Sequence, residues 1–429
     1  MNNRTTQWFR IDNAGKLFPI ITETRRSSYF RMSVMLNELI DPVVLQKAAE
    51  KTLIRFPHFN TRLQRGLFWN YLENQSRAFK VLPDPNTFGS NSRPFDSSKH
   101  LIEVYYHRQR ISIEVFHAIT DGRGGMEFLK TLTLSYLREK GYAVDAEGMM
   151  FDANDQVTQA ELEDGFATKV TKGQSTWLAT NKAYHLKGTY FEHNGHYLTH
   201  IHLSTEACIA VARQYKTTVT GLFATILILG LIKKQESENP KKRKPIILSI
   251  PVDMRKYLPS KTMKNFVMTI NIGKVFSPDA TFLEVLKEVD AQLKDGQRIE
   301  VLAPQIRANM QAERMLLLRF VPLFIKQWIV KSVFNRVGEP ALSFTMSNLG
   351  KIEMPISTQS FIQHFEFMIC STPIMPVNMG VASFKDQLVL TFSRIIDDRT
   401  FIQFFVKYLI EELKLNVMVS GNRWEETEE

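Results

Sequence analysis

A histidine in the first third of the chain has neighbours that suit acid–base chemistry. His117 is followed four positions later by Asp121, and Gly122 closes the turn, where we expect backbone angles that a side chain would disfavour. Histidine is the side chain whose ordinary pKa allows proton transfer in both directions near neutral pH. The spacing predicts a general base at His117 with a carboxylate nearby. A core histidine bonded to a local aspartate has the same spacing, so the surrounding elements must distinguish the two.

Those elements are a hairpin before His117 and a helix after it. The ranges Leu101 to Tyr106 and Ile111 to Phe116 are rich in β-branched and aromatic residues, which predicts two strands joined by a tight turn. The pair Gly124-Gly125 leaves room for close approach at the start of a helix predicted over Met126 to Glu139. A side chain between a strand end and a helix start can project into a cleft. The placement therefore favours a functional histidine.

The same arrangement recurs later in the chain. With a shift of 276 positions, Ile111 to Arg123 aligns without a gap to Gln387 to Arg399, and phenylalanine, isoleucine, aspartate and arginine recur at matching places. Each copy predicts a strand, a short turn with aspartate and an amphipathic helix. The position of His117 holds Ser393 in the second copy. The repeat predicts two similar α/β halves with a single active site at their junction.

The chain length also favours two domains. A chain of 429 residues that is 44% hydrophobic exceeds what one small core needs. We predict an N-terminal half over 1–165 and a C-terminal half over 175–429, and we interpret the acidic, weakly periodic stretch from Gly141 to Gly173 as the linker between them. The two cysteines lie in apolar runs, which favours a reducing, cytoplasmic location without disulfides. Neither a secretion signal nor a run of 18 uncharged apolar residues is found.

The charge balance and the missing motifs narrow the classes of partner. Lysine and arginine number 54 against 44 acidic residues, which favours an anionic partner such as a nucleotide-bearing cofactor, a carrier protein or a membrane surface. Nucleic-acid binding would rest on net charge alone and is not expected. The sequence has no phosphate-binding loop, dinucleotide fingerprint, paired-cysteine metal motif or serine-hydrolase elbow.

Four separate segments resemble one superfamily, which includes chloramphenicol acetyltransferase, the condensation domains of nonribosomal peptide synthetases, plant H-x-x-x-D acyltransferases and alcohol acetyltransferases. The segments are Phe56 to Leu63, Phe116 to Gly122, Ile250 to Arg255 together with Lys264 to Phe266, and Ser343 to Gly350. The resemblance covers most of the chain and is nearest to the stand-alone alcohol acetyltransferases. It implies two α/β sandwich halves of the chloramphenicol acetyltransferase type, with the active site in a tunnel between them.

The resemblance also implies a mechanism and roles for individual residues. His117 would take a proton from an acceptor alcohol or amine, which attacks an acyl thioester directly in a ternary complex. Asp121 would be structural and paired with Arg255, and Gly122 and Asn265 would brace the site. A hydroxyl could stabilise the developing oxyanion, and the candidates are Ser343, Thr345 and Ser347. No cofactor is expected to stay bound, because acyl-CoA, or an acyl carrier thioester, would act as co-substrate.

Several alternatives remain open from the sequence. Condensation domains usually carry two adjacent histidines, whereas Phe116 stands before His117 here, which favours a stand-alone acyltransferase. A catalytically inactive binding protein, or a condensation domain that uses carrier-bound substrates, would keep the same fold. The expected acceptor is a small or lipophilic molecule, and the expected state is a monomer.

Two further features have competing interpretations. The histidines at 193, 196, 200 and 202 form the densest such cluster; no acid or cysteine with ligand spacing accompanies them, so we expect exposed strand residues and no metal. The apolar stretch Met315 to Phe334 contains aromatic residues among cations. It could contact a membrane surface or gate an acyl chain, but a buried helix under the cleft is the favoured interpretation.

Overall fold

The fold is described from a computed structural model of the chain. The structure describes residues 8–89, 95–96, 98–169, 181–192, 195–238, 242–314 and 320–421. Of the histidine cluster, residue 193 lies outside these ranges, and so do residues 315–319 of the apolar stretch.

The described residues form an alternation of strands and helices. The helices are α1 (Phe18–Ile21), α2 (Pro42–Arg55), α3 (Gly122–Glu139), α4 (Gly165–Lys169), α5 (Thr205–Gln214), α6 (Val219–Glu238), α7 (Phe282–Gly296), α8 (Ile299–Arg314), α9 (Leu323–Val333) and α10 (Thr400–Glu411). The strands are β1 (Trp8–Arg10), β2 (Tyr29–Leu36), β3 (Thr61–Arg65), β4 (Asn70–Asn74), β5 (Leu82–Pro83), β6 (Ile102–His107), β7 (Arg110–Phe116), β8 (Tyr197–Ser204), β9 (Ile246–Asp253), β10 (Val267–Lys274), β11 (Phe344–Lys351), β12 (Ile362–Ile369), β13 (Val377–Phe384), β14 (Gln387–Arg394) and β15 (Met418–Gly421).

The first lobe is built on a five-stranded sheet in the order β12-β2-β7-β6-β5. All seven residues of β7 are buried, because α2 and α3 pack together and α3 covers the sheet. Asp41 begins α2 by accepting hydrogen bonds from the backbone of Val43 and Val44, and Pro42 occupies the first helical position, as the sequence predicts. A small three-stranded sheet, β1-β4-β3, lies beside this lobe.

The second lobe is built on a seven-stranded sheet in the order β10-β9-β11-β13-β14-β8-β15. The apolar helix α6 is buried between this sheet and the helices α5, α7 and α10. Ser204 caps α5 by accepting a hydrogen bond from the backbone of Ala207. Each lobe therefore buries its own hydrophobic core.

The two sheets share a four-strand pattern. In the first, β2, β7 and β6 are antiparallel neighbours and β5 adds to β6 in parallel. In the second, β8, β14 and β13 are antiparallel neighbours and β11 adds to β13 in parallel. The structure thus confirms the internal repeat at the level of strand order and direction, and it confirms the predicted α/β fold.

One strand joins the lobes across the repeat. β12 lies late in the chain but pairs with β2 of the first sheet, from Ile362 opposite Leu36 to Ile369 opposite Phe30. The segment predicted as a linker also packs against the first lobe, where Glu161 forms a buried ion pair with Arg55 of α2 at 2.7 Å. The boundaries of the two predicted halves stay a prediction.

The prediction of a buried helix under the cleft is wrong for the described part of the apolar stretch. Phe320 is 71% exposed, and Phe324 and Trp328 of α9 are 71% and 73% exposed. The helix is attached through its other face, where Leu323 is buried and its backbone N–H donates to Leu67 O at 2.9 Å. The helix starts directly after Pro322.

Within the described residues, no single helix has the length and apolar composition needed to cross a membrane. The adjacent helices α5 and α6 meet the requirement only as a pair, and they are bent by 78° at their junction.

Candidate active site

His117 is the first residue after β7, and its orientation is fixed from several sides. Its backbone N–H donates to Ser28 O at 2.9 Å. The imidazole is stacked against the ring of Phe18, with centroids 4.2 Å apart, and meets the edge of Phe30 at 5.2 Å. The side chain is half-buried and lines a cavity. The ring is therefore held in one orientation at the cavity wall.

Asn265 determines which ring nitrogen carries the proton. The Asn265 amide nitrogen donates to His117 O at 2.9 Å and to Asp12 Oδ2 at 3.0 Å, and both of these oxygens are acceptors. The amide oxygen must then face His117 Nδ1, which lies 2.9 Å away. Nδ1 therefore donates its hydrogen to Asn265, and Nε2 keeps a free lone pair. This is the tautomer that a general base needs.

Asp12 anchors Asn265. One carboxylate oxygen accepts from the backbone and amide nitrogens of Asn265, and the other accepts from the backbone of Gly15 at 2.6 Å. Burial raises the pKa of Asp12 to about 6, against the opposing effect of these hydrogen bonds. Burial also lowers the pKa of His117 below its ordinary value, so the imidazole is neutral near pH 7. Both groups are in the base-competent form at neutral pH.

We expect the replacement Asp12→Asn to lower kcat by about 10- to 100-fold with little change in the KM of the donor, because a misaligned base slows the chemical step. The wild-type activity should fall as pH drops through about 6, where Asp12 gains a proton and can no longer accept all its hydrogen bonds. In the variant, the acid limb of the pH profile should reduce to the single ionisation of His117. Steady-state kinetics from pH 5 to 9 measure both effects.

The matched control is Asp164→Asn. Asp164 lies near Asp12 and accepts from the backbone of Asn13 and of Phe166, but no hydrogen bond joins it to Asn265 among the described contacts. This control should keep the wild-type kcat. An equal loss of kcat in both variants would contradict the positioning role of Asp12.

Asp121 joins three parts of the site and is fully buried. Oδ1 accepts from the backbone of Gly124 at 3.0 Å and caps α3, while Oδ2 accepts from the backbone of Phe266 at 2.8 Å. The Arg255 guanidinium donates to the same Oδ2 at 2.8 Å. The structure therefore brings together the pair that the resemblance implied. Asp121 supports the site by holding α3 to the residues around 265.

Arg255 also shapes the loop that carries Asn265. Its guanidinium donates to Thr262 O at 2.8 and 3.0 Å and to Lys264 O at 2.7 Å. A second carboxylate, Asp253, accepts from it at 2.9 Å. The planar guanidinium thus fixes the backbone next to Asn265, which in turn orients His117.

The two glycines at the start of α3 are needed for space. Gly122 was expected to adopt backbone angles that a side chain disfavours, and this is wrong: it begins the helix without a positive φ, and a Cβ would lie 2.9 Å from Leu349 Cδ2. At Gly124 a Cβ would lie 2.0 Å from Thr120 Oγ1 and 2.4 Å from Met263 O. The close approach predicted for this position is confirmed.

The cavity at His117 has a volume of about 620 Å³ and is lined by both lobes. Thr345 and Lys351 of β11 line it and are six residues apart, which corresponds to about 20 Å along a strand. The wall also includes Phe334 and Glu339. The exposed cations Arg123, Lys256 and Lys351 also line the cavity.

The three hydroxyl candidates have different positions. Thr345 and Ser347 line the cavity. Ser343 is fully buried, and its hydroxyl accepts a hydrogen bond from Ile247 N at 3.1 Å. Of the three, the structure brings Thr345 and Ser347 together with His117 around one cavity, and it places Ser343 in the core.

The second copy of the strand–turn–helix unit has no comparable base. Ser393 is fully buried in β14, where its hydroxyl donates to Ile369 O and lies 3.1 Å from Ser371 Oγ. Its hydroxyl serves the packing of β12 against the second sheet. The described residues thus contain one histidine base in the two repeat units.

The other histidines are structural where they are described. The expectation of exposed strand histidines is wrong for His196, His200 and His202, which are all buried. His196 Nδ1 donates to Phe88 O at 3.0 Å while Nε2 accepts from the backbone N–H of Ser371 at 2.9 Å, and His200 Nδ1 lies 3.0 Å from Thr391 Oγ1. Among the described residues, no group of three or more histidine, cysteine, aspartate or glutamate side chains is placed to hold a metal ion.

No protein-family model matches the sequence, and no curated protein matches it. Several solved structures are similar to this chain in fold. TRI101 of F. sporotrichioides, complexed with coenzyme A and T-2, has a TM-score of 0.62 at 10% identity over 97% of this chain and 100% of that one. The first condensation domain of the CDA synthetase has a TM-score of 0.56 at 13% identity over 97% and 100%. A wax ester synthase/diacylglycerol acyltransferase from Marinobacter aquaeolei has a TM-score of 0.55 at 14% identity over 94% and 98%.

The chain has the two-lobed fold of the chloramphenicol acetyltransferase and condensation-domain type. This similarity covers nearly the whole chain and agrees with the fold that the four sequence segments implied.

Within this fold, three residues around His117 were missed by the sequence analysis: Asp12, Phe18 and Phe30. Asp12 and Asn265 are 253 positions apart, and no spacing or motif links them. Only the folded chain shows that the N-terminal segment completes the site.

Proposed function

We propose that this protein is an acyltransferase that moves an acyl group from acyl-CoA to a hydroxyl or amine, with His117 as the general base. The observation that supports this most strongly is the fixed tautomer: Asn265 accepts from Nδ1, so Nε2 is the ring nitrogen that keeps a lone pair, and His117 lines the cavity. The solved structures with a similar fold include acyltransferases and condensation domains, which supports acyl transfer as the class of reaction.

The proposed step is a direct transfer. Nε2 removes the proton of the acceptor while its oxygen or nitrogen attacks the thioester carbonyl. The tetrahedral intermediate collapses, the carbon–sulfur bond breaks, and the imidazolium gives its proton to the departing thiolate, so that the thiol leaves and His117 is again a neutral base. The hydroxyls of Thr345 and Ser347 are our candidates for stabilising the oxyanion, because they line the same cavity. Asp121 and Arg255 have a structural role, and Gly122 provides space.

Three exposed cations support a CoA thioester as the donor. Arg123, Lys256 and Lys351 line the cavity that contains His117. Arginine and lysine side chains at the mouth of a cavity attract the phosphates of a nucleotide-bearing cofactor. TRI101, which has a similar fold, was solved in complex with coenzyme A. Of the three cations, Arg123 is paired with Glu127 at 3.3 Å and Lys351 with Glu353 at 3.7 Å, and these contacts leave Lys256 as the cation on which the donor proposal is tested.

The proposed function is tested by release of free thiol from acetyl-CoA and longer acyl-CoAs, assayed against a panel of alcohols and amines. Phosphopantetheinyl-protein thioesters with the same acyl groups serve as the matched donors. Turnover with CoA thioesters, and a several-fold higher KM for them in Lys256→Glu, are the expected results. Turnover with carrier-bound donors alone would favour a condensation domain. Tight binding of a protein partner without any turnover would favour an inactive binding protein.

A further inference from the structure

The apolar surface on α9 is larger than a set of scattered side chains. Its exposed members follow one another at intervals of four residues in two adjacent rows. We call them the apolar stripe: Phe320, Phe324, Ile325, Trp328, Ile329, Val333 and Val337, which are 38–73% exposed. Spacing of four places side chains on one face of a helix, which applies to the five members within α9, from Phe324 to Val333, while Phe320 and Val337 flank the helix. A continuous apolar face of this kind marks an interaction site on most soluble proteins.

The stripe is held toward solvent by contacts on the opposite face of α9. The Lys326 ammonium lies 3.8 Å from the centre of the Trp69 ring and donates to Phe68 O at 3.1 Å. Leu323 is buried on the same side. The hairpin between β3 and β4, which provides these contacts, adds Leu67 to the exposed surface at 72% exposure. The helix cannot turn its apolar side inward without breaking these contacts.

The charges that the α9 segment itself carries are of one sign. Between Glu313 and Glu339 the sequence has no acidic residue and five cations. Of these, Arg336 is exposed beside the stripe, and Lys331 is 43% exposed and paired with Glu23 at 2.7 Å. The whole chain carries a net charge of +10. An apolar face with aromatic residues and flanking cations complements an anionic bilayer surface.

The same charges disfavour a second copy of this chain as the occupant. Two-fold symmetric association would bring each stripe, with its own exposed Arg336, against the identical stripe of the partner, whereas the charge of Lys331 is already compensated by Glu23. Like charges would then be buried together, which opposes association. A membrane with anionic headgroups has the opposite sign and no such cost.

The end of the stripe connects to the wall of the cavity. Phe334 follows α9 directly and lines the cavity, as does Glu339. Arg26 fixes this junction: it lies over the Phe334 ring at 5.5 Å, donates to Asn335 Oδ1 at 2.8 Å and pairs with Glu339 at 2.8 Å. A surface that binds the stripe would therefore lie close to this part of the cavity.

We propose that the apolar stripe docks the protein on an anionic membrane surface, so that a lipid-soluble substrate reaches the cavity past Phe334. The docking itself stands independently of the catalytic assignment. The entry of a lipid-soluble substrate rests on the proposed function.

The test is co-sedimentation of the full chain with vesicles. Vesicles of equal parts phosphatidylcholine and phosphatidylglycerol should bind the protein, and binding should weaken with added salt and with phosphatidylcholine alone. The double variant Phe324→Asp with Trp328→Asp should lower the partition coefficient by about tenfold or more, because two exposed aromatic contacts are lost. The matched control is Ile54→Asp on α2, which is 76% exposed and lies outside the stripe. This control should bind as the wild type does.

Activity separates the docking from the catalysis. With a water-soluble acceptor and no vesicles, the double variant should match the wild type, which also shows that it is folded. With a long-chain alcohol presented in the vesicles, its turnover should fall by the same factor as its binding. Absence of wild-type binding, equal binding by the double variant, or a dimer that the double variant abolishes without any vesicle binding would overturn the proposal.

Discussion

Replacing His117 with alanine is expected to lower kcat/KM for acyl transfer by about 100- to 10,000-fold, the usual contribution of a positioned general base. The side chain is half-buried at the cavity and supports no ion pair, so the fold should survive the change. Steady-state thiol release with a saturating acceptor measures the loss, and circular dichroism establishes that the variant is folded.

The control for this experiment is His107→Ala. His107 ends β6 on the same hairpin that leads to His117, but it lies at the turn and away from the cavity lining. It should retain wild-type turnover. If His117→Ala kept genuine turnover with purified protein, the assignment of the base would be wrong.

The second large effect is on stability. Asp121→Ala should lower the free energy of unfolding by about 3–5 kcal/mol, because the largely buried guanidinium of Arg255 then loses one of its two carboxylate partners. It also removes the cap of α3 and the acceptor of Phe266 N–H. The exposed fractions are 0% for the Asp121 side chain and 12% for that of Arg255, so water cannot replace the carboxylate effectively. Denaturation by urea, monitored by tryptophan fluorescence, measures the change.

Asp253→Ala provides the comparison on the same guanidinium. Asp253 pairs with the same Arg255 Nη1 at 2.9 Å but is 23% exposed, so its loss should cost about 1 kcal/mol or less. Equal destabilisation by the two variants would contradict the view that Asp121 is the buried anchor of the site.

The local parts of the site could be predicted from the sequence because short-range physics determines them. Asp41 and Ser204 cap their helices, and the strand, turn and helix around His117 follow from hydrophobic patterning and glycine placement. The Asp121–Arg255 ion pair followed from a resemblance between segments, and no local pattern would have revealed it.

Features that depend on distant contacts were beyond prediction. The role of Asp12 requires the N-terminal segment to meet the loop at Asn265, and the place of β12 requires a late strand to pair with β2. The position of Ser343 shows a finer limit. Ser343 is two and four residues from Thr345 and Ser347, so a regular strand would place all three on one face. β11 begins only at Phe344, and the buried Ser343 hydroxyl accepts a hydrogen bond from the backbone N–H of Ile247.

The misjudged helix shows a limit of composition. An apolar helix with aromatic residues has the same sequence pattern whether it is buried in a core or rests on a surface. What decides the matter for α9 is the attachment of Leu323 and Lys326 to the hairpin between β3 and β4, which leaves Trp328 on the outside. Which face of α9 is exposed is therefore decided by the folded structure and not by the composition of the helix.

Direct transfer is tested most sharply by pre-steady-state thiol release from acyl-CoA, followed with and without acceptor, with intact-mass measurement of the protein. With His117 as a base that activates the acceptor, thiol release should require the acceptor, and the protein mass should stay unchanged throughout. A burst of thiol without acceptor, together with an acyl adduct on the protein, would contradict the account, because it would place a covalent intermediate where a base and two bound substrates are expected.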